Sequence, residues 1–262
     1  MTGELGLTRA GSGAPLVLLH ALGAHRGIWD PVLPFLTAER DVLAFDLPGF
    51  GDSAPYPDGE AHPRRMATTV TEECKRLGLE TPAVAGSSFG GWVALEMALV
   101  GAASSVTAIA PAGLWRGPLV PRPLIGQVFA RALYPVIPLA VWSRRVRHAL
   151  LMSQMVHPER VPRRDALLLL RRYARARGLA NAQRAMRANS FTELDDIQVP
   201  VTLVWPDHDR LVRRPRRLPE QIDNLTLPDA GHLPQWDAPA AVAAALLAGS
   251  AAARVSGANP TG

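Results

Sequence analysis

The sequence predicts an α/β fold: a doubly wound, mostly parallel sheet carrying a helical insertion. Three observations support it. Short apolar runs bounded by Gly, Pro or Asp recur along the chain, helix-like stretches separate several of them, and residues 113–190 replace that alternation with an arginine-rich helical pattern. Continuous apolar runs of strand length suit strands buried on both faces of a parallel sheet. Strands that alternate with helices imply a doubly wound architecture. With 262 residues and 48% apolar content, the chain can build a full core as one large domain or two smaller ones.

Taken in order, the expected strands are "PLVLLHAL" (15–22), "DVLAFDLPG" (41–49), "PAVAG" (82–86), "SVTAIAP" (105–111), "VPVTLVWP" (199–206) and "DNLTLPDAG" (223–231). Helices are expected over 62–77, 90–100 and 238–248, the last opened by Asp237 as cap and Pro239 in the first turn. The middle segment starts in the Gly/Pro-rich loop "GLWRGPLVPRPLIG" (113–126). It continues as helices such as "RRDALLLLRRYARAR" (163–177), apolar on one face and arginine-bearing on the other. The expected organisation is therefore a core of residues 1–112 and 190–248, a helical lid over 113–189, and a frayed tail over 249–262. The lid is expected over the C-terminal edge of the sheet, where open α/β sheets bind ligands.

A net charge of +5 conceals two unlike regions. Residues 113–190 hold 15 Arg, no Lys and only Glu159 and Asp165, a balance of +13, whereas the rest of the chain balances at −8. Charge of this kind speaks to partners and solubility rather than to fold. With 27 Arg against one Lys in the whole chain, a general arginine preference also explains part of it. No charged leader with a short apolar stretch and no run of 18 apolar residues occurs, so a cytoplasmic protein without a membrane span is expected. The single cysteine, Cys74, allows no internal disulfide and lacks the spaced partners of a zinc site. Neither a metal, an organic cofactor nor a nucleic-acid partner is implied.

Chemistry concentrates at "VAGSSFGGW" (84–92), which contains a G-x-S-x-G match at residues 86–90. In that motif the serine sits on a tight strand-to-helix turn, and the residues two before and two after it must be small because strand and helix pass closely. Ser88 has Gly86 and Gly90 at those offsets; Ser87 would have Ala85 and Phe89. Ser88 is thus the candidate nucleophile, with a strand leading in and the helical "GGWVALEMALVG" leading out. A serine hydroxyl needs a base to take its proton and an acid to orient that base. "LPDAGHLPQW" supplies His232 just after a strand, and "VTLVWPDHDRLV" supplies Asp207 and Asp209.

The pieces "HALGAHRGIWDPVLPFL", "DLPGFGDS", "GSSFGG", "WPDHDRLV" and "GHLPQWDAP" together resemble the α/β-hydrolase superfamily, over about residues 14–112 and 190–248. Its Ser, Asp, His chain order fits. The resemblance implies Asp209 as the acid, and an oxyanion hole made by the backbone N–H groups of Phe89 and Leu22. Ala21 stands where glycine is common in the family, and His20 is expected to support that loop. Gly49 and Gly51 with Asp46 and Ser53 of "DLPGFGDS" are expected to build a turn.

The resemblance implies a small-molecule acyl substrate, with hydrolysis of a carboxylic ester or lactone as the leading expectation. The arginine-rich segment keeps a thioesterase open, acting on acyl-CoA or on an acidic acyl-carrier protein. A carbon–carbon bond hydrolase of aromatic ring-cleavage products is a third reading, although that branch commonly has Trp where Leu233 stands and Asn where Ser87 stands. A non-catalytic ligand receptor on the same scaffold is the fourth. Trp115, Phe129, Tyr134, Trp142 and Met152 could line an acyl or aromatic pocket, or equally pack the interior of the insertion.

Overall fold

A computed structural model of the chain describes residues 4–117, 119–120 and 124–256. The chain opens with β1 (Leu7–Gly11) and β2 (Ala14–Leu19), passes a 3-10 turn (Arg26–Trp29) and the short α1 (Leu33–Leu36), and enters β3 (Arg40–Phe45). It continues through α2 (Pro63–Arg76), β4 (Ala83–Ser87), α3 (Phe89–Leu99) and β5 (Ser105–Ile109). Five helices follow: α4 (Ile125–Ala132), α5 (Ile137–Ala140), α6 (Arg144–Leu151), α7 (Arg163–Arg175) and α8 (Leu179–Ala188). The chain then returns to the sheet with β6 (Val201–Pro206) and β7 (Asp223–Leu227), and ends in α9 (Pro234–Asp237) and α10 (Pro239–Ser256). The seven strands are ordered β1-β3-β2-β4-β5-β6-β7. Every neighbouring pair is parallel except β1 with β3.

Alternation along each strand divides the core into two apolar layers. Val17 and Leu19 of β2 join Met66 and Val70 of α2 and Val93 of α3 on one face. Leu16 and Leu18 join Trp29, Leu36 and Leu246 of α10 on the other. All six expected strands form, and four of the apolar runs (15–22, 41–49, 105–111 and 223–231) leave the sheet before their last residues. Leu19, Phe45 and Leu227 end strands whose continuations, His20-Ala21-Leu22, Asp46-Leu47 and Pro228-Asp229, are loops at the C-terminal edge.

Two elements differ from expectation. β1 was not among the expected strands: its burial is only partial, and Arg9 points outward to pair with Asp41 at 2.6 Å, so no continuous apolar run marks this edge. The tail expected from 249 is instead helical as far as Ser256. Its alanine-rich sequence favours helix, and Gly249 lies so close to β5 that a Cβ there would come within 2.1 Å of Thr107 Oγ1. Ser250 is buried, donates to the Leu247 carbonyl (3.0 Å) and accepts from Arg40 Nε (3.1 Å). Residues 257–262 of that expected tail, and residues 118 and 121–123 of the expected Gly/Pro loop, lie outside the described residues.

The five helices between β5 and β6 are anchored at several points. Phe191 N–H donates to Gly113 O (2.8 Å) where the segment leaves and rejoins the core, and Gly178 N–H donates to Gly49 O (2.8 Å) in the loop after β3. Among the described residues, no helix is long and apolar enough to cross a membrane.

Candidate active site

The turn from β4 into α3 places Ser88 at φ 54°, ψ −112°. A side-chain-bearing residue held there costs about 1–3 kcal/mol, which the surrounding structure must offset. The backbone around Ser88 supplies that support: its N–H donates to Ile109 O (2.8 Å), and its carbonyl accepts from Trp92 N–H (3.1 Å) and Ala112 N–H (3.0 Å). The two flanking glycines are sterically required. A Cβ on Gly86 would lie 2.1 Å from Gly90 O, and one on Gly90 would lie 2.4 Å from Leu19 O. Ser87 is fully buried and its hydroxyl has no partner among the described residues, so the two adjacent serines occupy unlike environments.

His232 and Asp209 reach the same edge of the sheet from the loops after β7 and β6. His232 Nδ1 and Asp209 Oδ2 are 2.8 Å apart, with both side chains buried. With Asp209 ionised, Nδ1 carries the proton and Nε2 keeps its lone pair. Burial by itself raises the Asp209 carboxyl, but the bonds it accepts from His232, Val212 N–H (3.0 Å) and Leu211 N–H (2.7 Å) outweigh it and hold the group below its ordinary value. Asp207 is exposed and turns to His208 Nδ1 (2.7 Å). Of the two acids left open by the strand alone, only Asp209 meets His232. Ser88 makes no hydrogen bond with His232 among the described residues.

The two expected oxyanion donors also lie at this edge. Phe89 is the first residue of α3, where backbone N–H groups lack intrahelical acceptors and the helix dipole is positive. Leu22 occupies a turn closed by Ala24 N–H to Ala21 O (3.0 Å), with Gly23 at φ 77°. Ala21 is not among the residues of positive φ, so the family's usual glycine is dispensable at this position. His20 is fully buried under the loop: its Nε2 accepts from Leu47 N–H (3.0 Å) and its Nδ1–H donates to Ala21 O (2.8 Å). Both ring nitrogens are committed to backbone, and burial keeps the ring below its ordinary pKa and neutral. Support of the loop, expected for His20, is what these bonds provide.

The family model described as "Alpha/beta hydrolase family" matches residues 16–245. The chain belongs to the alpha/beta hydrolase family. Among relatives, it is 30% identical over 188 residues to the epoxide hydrolase EphH of Mycobacterium tuberculosis, a match covering 66% of this chain and 88% of that one. It is 33% identical over 93 residues to a pimeloyl-[acyl-carrier protein] methyl ester esterase of Legionella pneumophila (strain Paris), covering 36% of this chain and 35% of that one. The matched stretches span 60% or less of the length of several curated relatives. A thermophilic esterase from Thermogutta terrifontis shares the fold at TM-score 0.68 and 24% identity, over 93% of this chain and 92% of that one.

Within this alpha/beta hydrolase, one residue has a place that the sequence did not reveal. Asp237, expected to cap α10, instead accepts from the backbone N–H groups of Gly231 (2.8 Å), Val156 (3.0 Å) and His157 (2.8 Å). Leu233 N–H adds a bond to Gln154 O (2.8 Å). The residues on either side of His232 are thereby fixed against the connection between α6 and α7. Asp237 stands five residues after His232 in "GHLPQWD", and that spacing was the only signal of a role beyond capping. The turn after β3 forms as expected: Asp46 accepts from Arg26 N–H (2.7 Å) and Asp52 N–H (2.9 Å), and Ser53 Oγ donates to Asp46 O (2.7 Å). Cys74 is no competing nucleophile, because burial, and then the Glu73 charge, push its thiol up to about 12.

Proposed function

We propose that this chain is a serine hydrolase that cleaves carboxylic esters or lactones through an acyl-enzyme. The observation that carries the reading is the buried 2.8 Å pair of His232 and Asp209 at the edge where Ser88 is held in a strained turn. Ser88 attacks the substrate carbonyl as His232 takes its proton, and Asp209 stabilises the resulting imidazolium. The N–H groups of Phe89 and Leu22 receive the oxyanion. His232 then protonates the leaving alcohol, and water repeats the sequence on the acyl-enzyme. The cycle draws on these three side chains, the two backbone N–H groups, water and the substrate.

The identity of the nucleophile separates this reading from epoxide opening, the activity named for one relative. The family's epoxide hydrolases form a covalent ester, which requires a carboxylate at the nucleophile position; here that position is Ser88. Residues 113–189 act in this reading as a lid on a core formed by 1–112 and 190–248. Asp237 supports it, because it joins the α6–α7 connection to the loop that bears His232.

A parallel kinetic screen of short and long p-nitrophenyl esters, lactones, acyl-CoA thioesters and a ring-cleavage dienoate tests the reading. Turnover of an oxygen ester that is lost in Ser88→Ala, with the fold retained, is the expected result. Selective turnover of the dienoate would replace ester hydrolysis by carbon–carbon cleavage, and tight binding without turnover of any substrate would mark a receptor.

A further inference from the structure

We propose that the cavity between α4–α5 and α7 is a second site, one that takes a small molecule bearing two neighbouring phosphoryl groups. The cavity measures about 920 Å³ and is lined by Arg131, Arg171, Arg172, Arg175 and Arg177 around Tyr134. That volume falls within the usual range for small-molecule sites, and its lining is dominated by guanidinium groups. Arg171 and Arg175, one turn apart on α7, both approach the Tyr134 ring, at 5.7 and 4.4 Å from its centroid. Two like charges sharing one ring repel each other unless an anion joins them.

The acids nearby are already committed. Asp52, beside the lining residue Gly51, is held by Arg172 (2.5 Å) and Arg26 (2.9 Å). Arg171, Arg175 and Arg177 make no ion pair with a carboxylate among the described residues, and the Nε of Arg171 is buried without a hydrogen-bond partner. Arg131 is oriented by donating its Nε–H to Ala174 O (2.9 Å), which leaves the outer nitrogens of its guanidinium for a ligand. Once Arg172 is set against Asp52, four guanidinium groups remain. A phosphoryl group carries up to about −1.5 to −2 charges, so two neighbouring ones offset a large share of the positive charge of these four arginines. Planar guanidinium forks match phosphate oxygens in pairs.

The site is placed to affect chemistry at the sheet edge. Between the cavity-lining Arg172 and Ala174, α7 presents Tyr173 to the oxyanion loop, where its ring would stand 2.9 Å from a Cβ on Gly23. A phosphorylated ligand therefore binds one helix away from Leu22. The inference does not depend on acyl transfer, because its test measures binding rather than turnover.

Isothermal titration of the full chain at low ionic strength, with inorganic pyrophosphate, with coenzyme A and with phosphate-free pantetheine, tests it. Pyrophosphate is expected to bind, to weaken as salt rises, and to displace coenzyme A if a diphosphate ester is the natural source. Arg171→Gln/Arg175→Gln should weaken binding at least tenfold with an unchanged circular dichroism spectrum. The milder Arg177→Gln should weaken it by a smaller factor, which keeps the test open if the double variant fails to fold. Arg144→Gln/Arg145→Gln, exposed on α6 and outside the cavity, should change it less than twofold. Equal losses in the α6 variant would reduce the site to general surface charge and overturn the proposal. So would pantetheine binding as well as coenzyme A, or an acidic carrier protein binding when neither phosphorylated probe does.

Discussion

The sheet core and the segment between β5 and β6 are built on different terms. In the core, strands β2 to β6 place almost every side chain between two helical layers, and the largest residues, among them Trp29, Trp92, Phe45 and Phe89, are buried completely. In the segment, arginines and large apolar residues share the same surface. Among the described residues sixteen large apolar side chains are exposed, and twelve of these lie within 113–189. The core is thus held mainly by volume and shape, whereas the segment joins it through a smaller apolar contact, with Leu151, Met155 and Leu179 buried, and through polar anchors at its seams: Asp237, Gly178 on Gly49, and Arg172 on Asp52. A region that leaves so many apolar side chains exposed can open locally at lower cost, and a densely packed one supports the strained turn at Ser88.

Variants can break that contrast in a graded way. Asp209→Asn should leave the fold intact and lower kcat for an ester substrate by about 10⁴-fold, roughly 5 kcal/mol of barrier, through loss of the correct His232 tautomer; stopped-assay kinetics read it directly. Gly90→Ala should destabilise the chain by about 4 kcal/mol or more, because the added methyl meets the Leu19 and His20 carbonyls and neither strand nor loop can give way. Urea unfolding would show it.

At the seam, Asp237→Asn should cost about 1–3 kcal/mol of stability by weakening three hydrogen bonds, one buried and two part-buried. It should also lower kcat by more than it changes KM, since the loop holding His232 is what loosens. A merely structural residue would lower Tm and leave kcat per folded molecule unchanged. In the segment itself, Phe129→Ser should stay within about 0.5 kcal/mol of the parent, because that ring is 63% exposed. A large loss there would mean that this face is covered in solution.

What could be read from the sequence follows the same division. The central strands were legible because burial on both faces leaves continuous apolar runs, and the choice of Ser88 over Ser87 was legible because close packing dictates glycine at 86 and 90. β1 was not, since an edge strand that alternates with outward polar residues looks like loop. Pairing of His232 with Asp209 rather than Asp207 required the resemblance, because both acids follow the same strand and only loop geometry distinguishes them. Asp237 was misread as a cap for a similar reason: its partners at Val156 and His157 are distant in sequence. In the segment, amphipathic periodicity located α7 but not which residues it buries. Phe129 and Trp142, which the pattern allowed as interior residues, are exposed, while Trp115 packs edge-on against Trp92 at 5.9 Å.

The central claim is that Ser88, and not its neighbour, is the activated nucleophile. Mass spectrometry of the intact chain after treatment with a fluorophosphonate probe tests this most directly. One adduct on the peptide containing Ser88, absent from Ser88→Ala and strongly slowed in Asp209→Asn, is the expected result. Labelling that persists at Ser87 in Ser88→Ala, or a folded parent chain that takes no label, would contradict it.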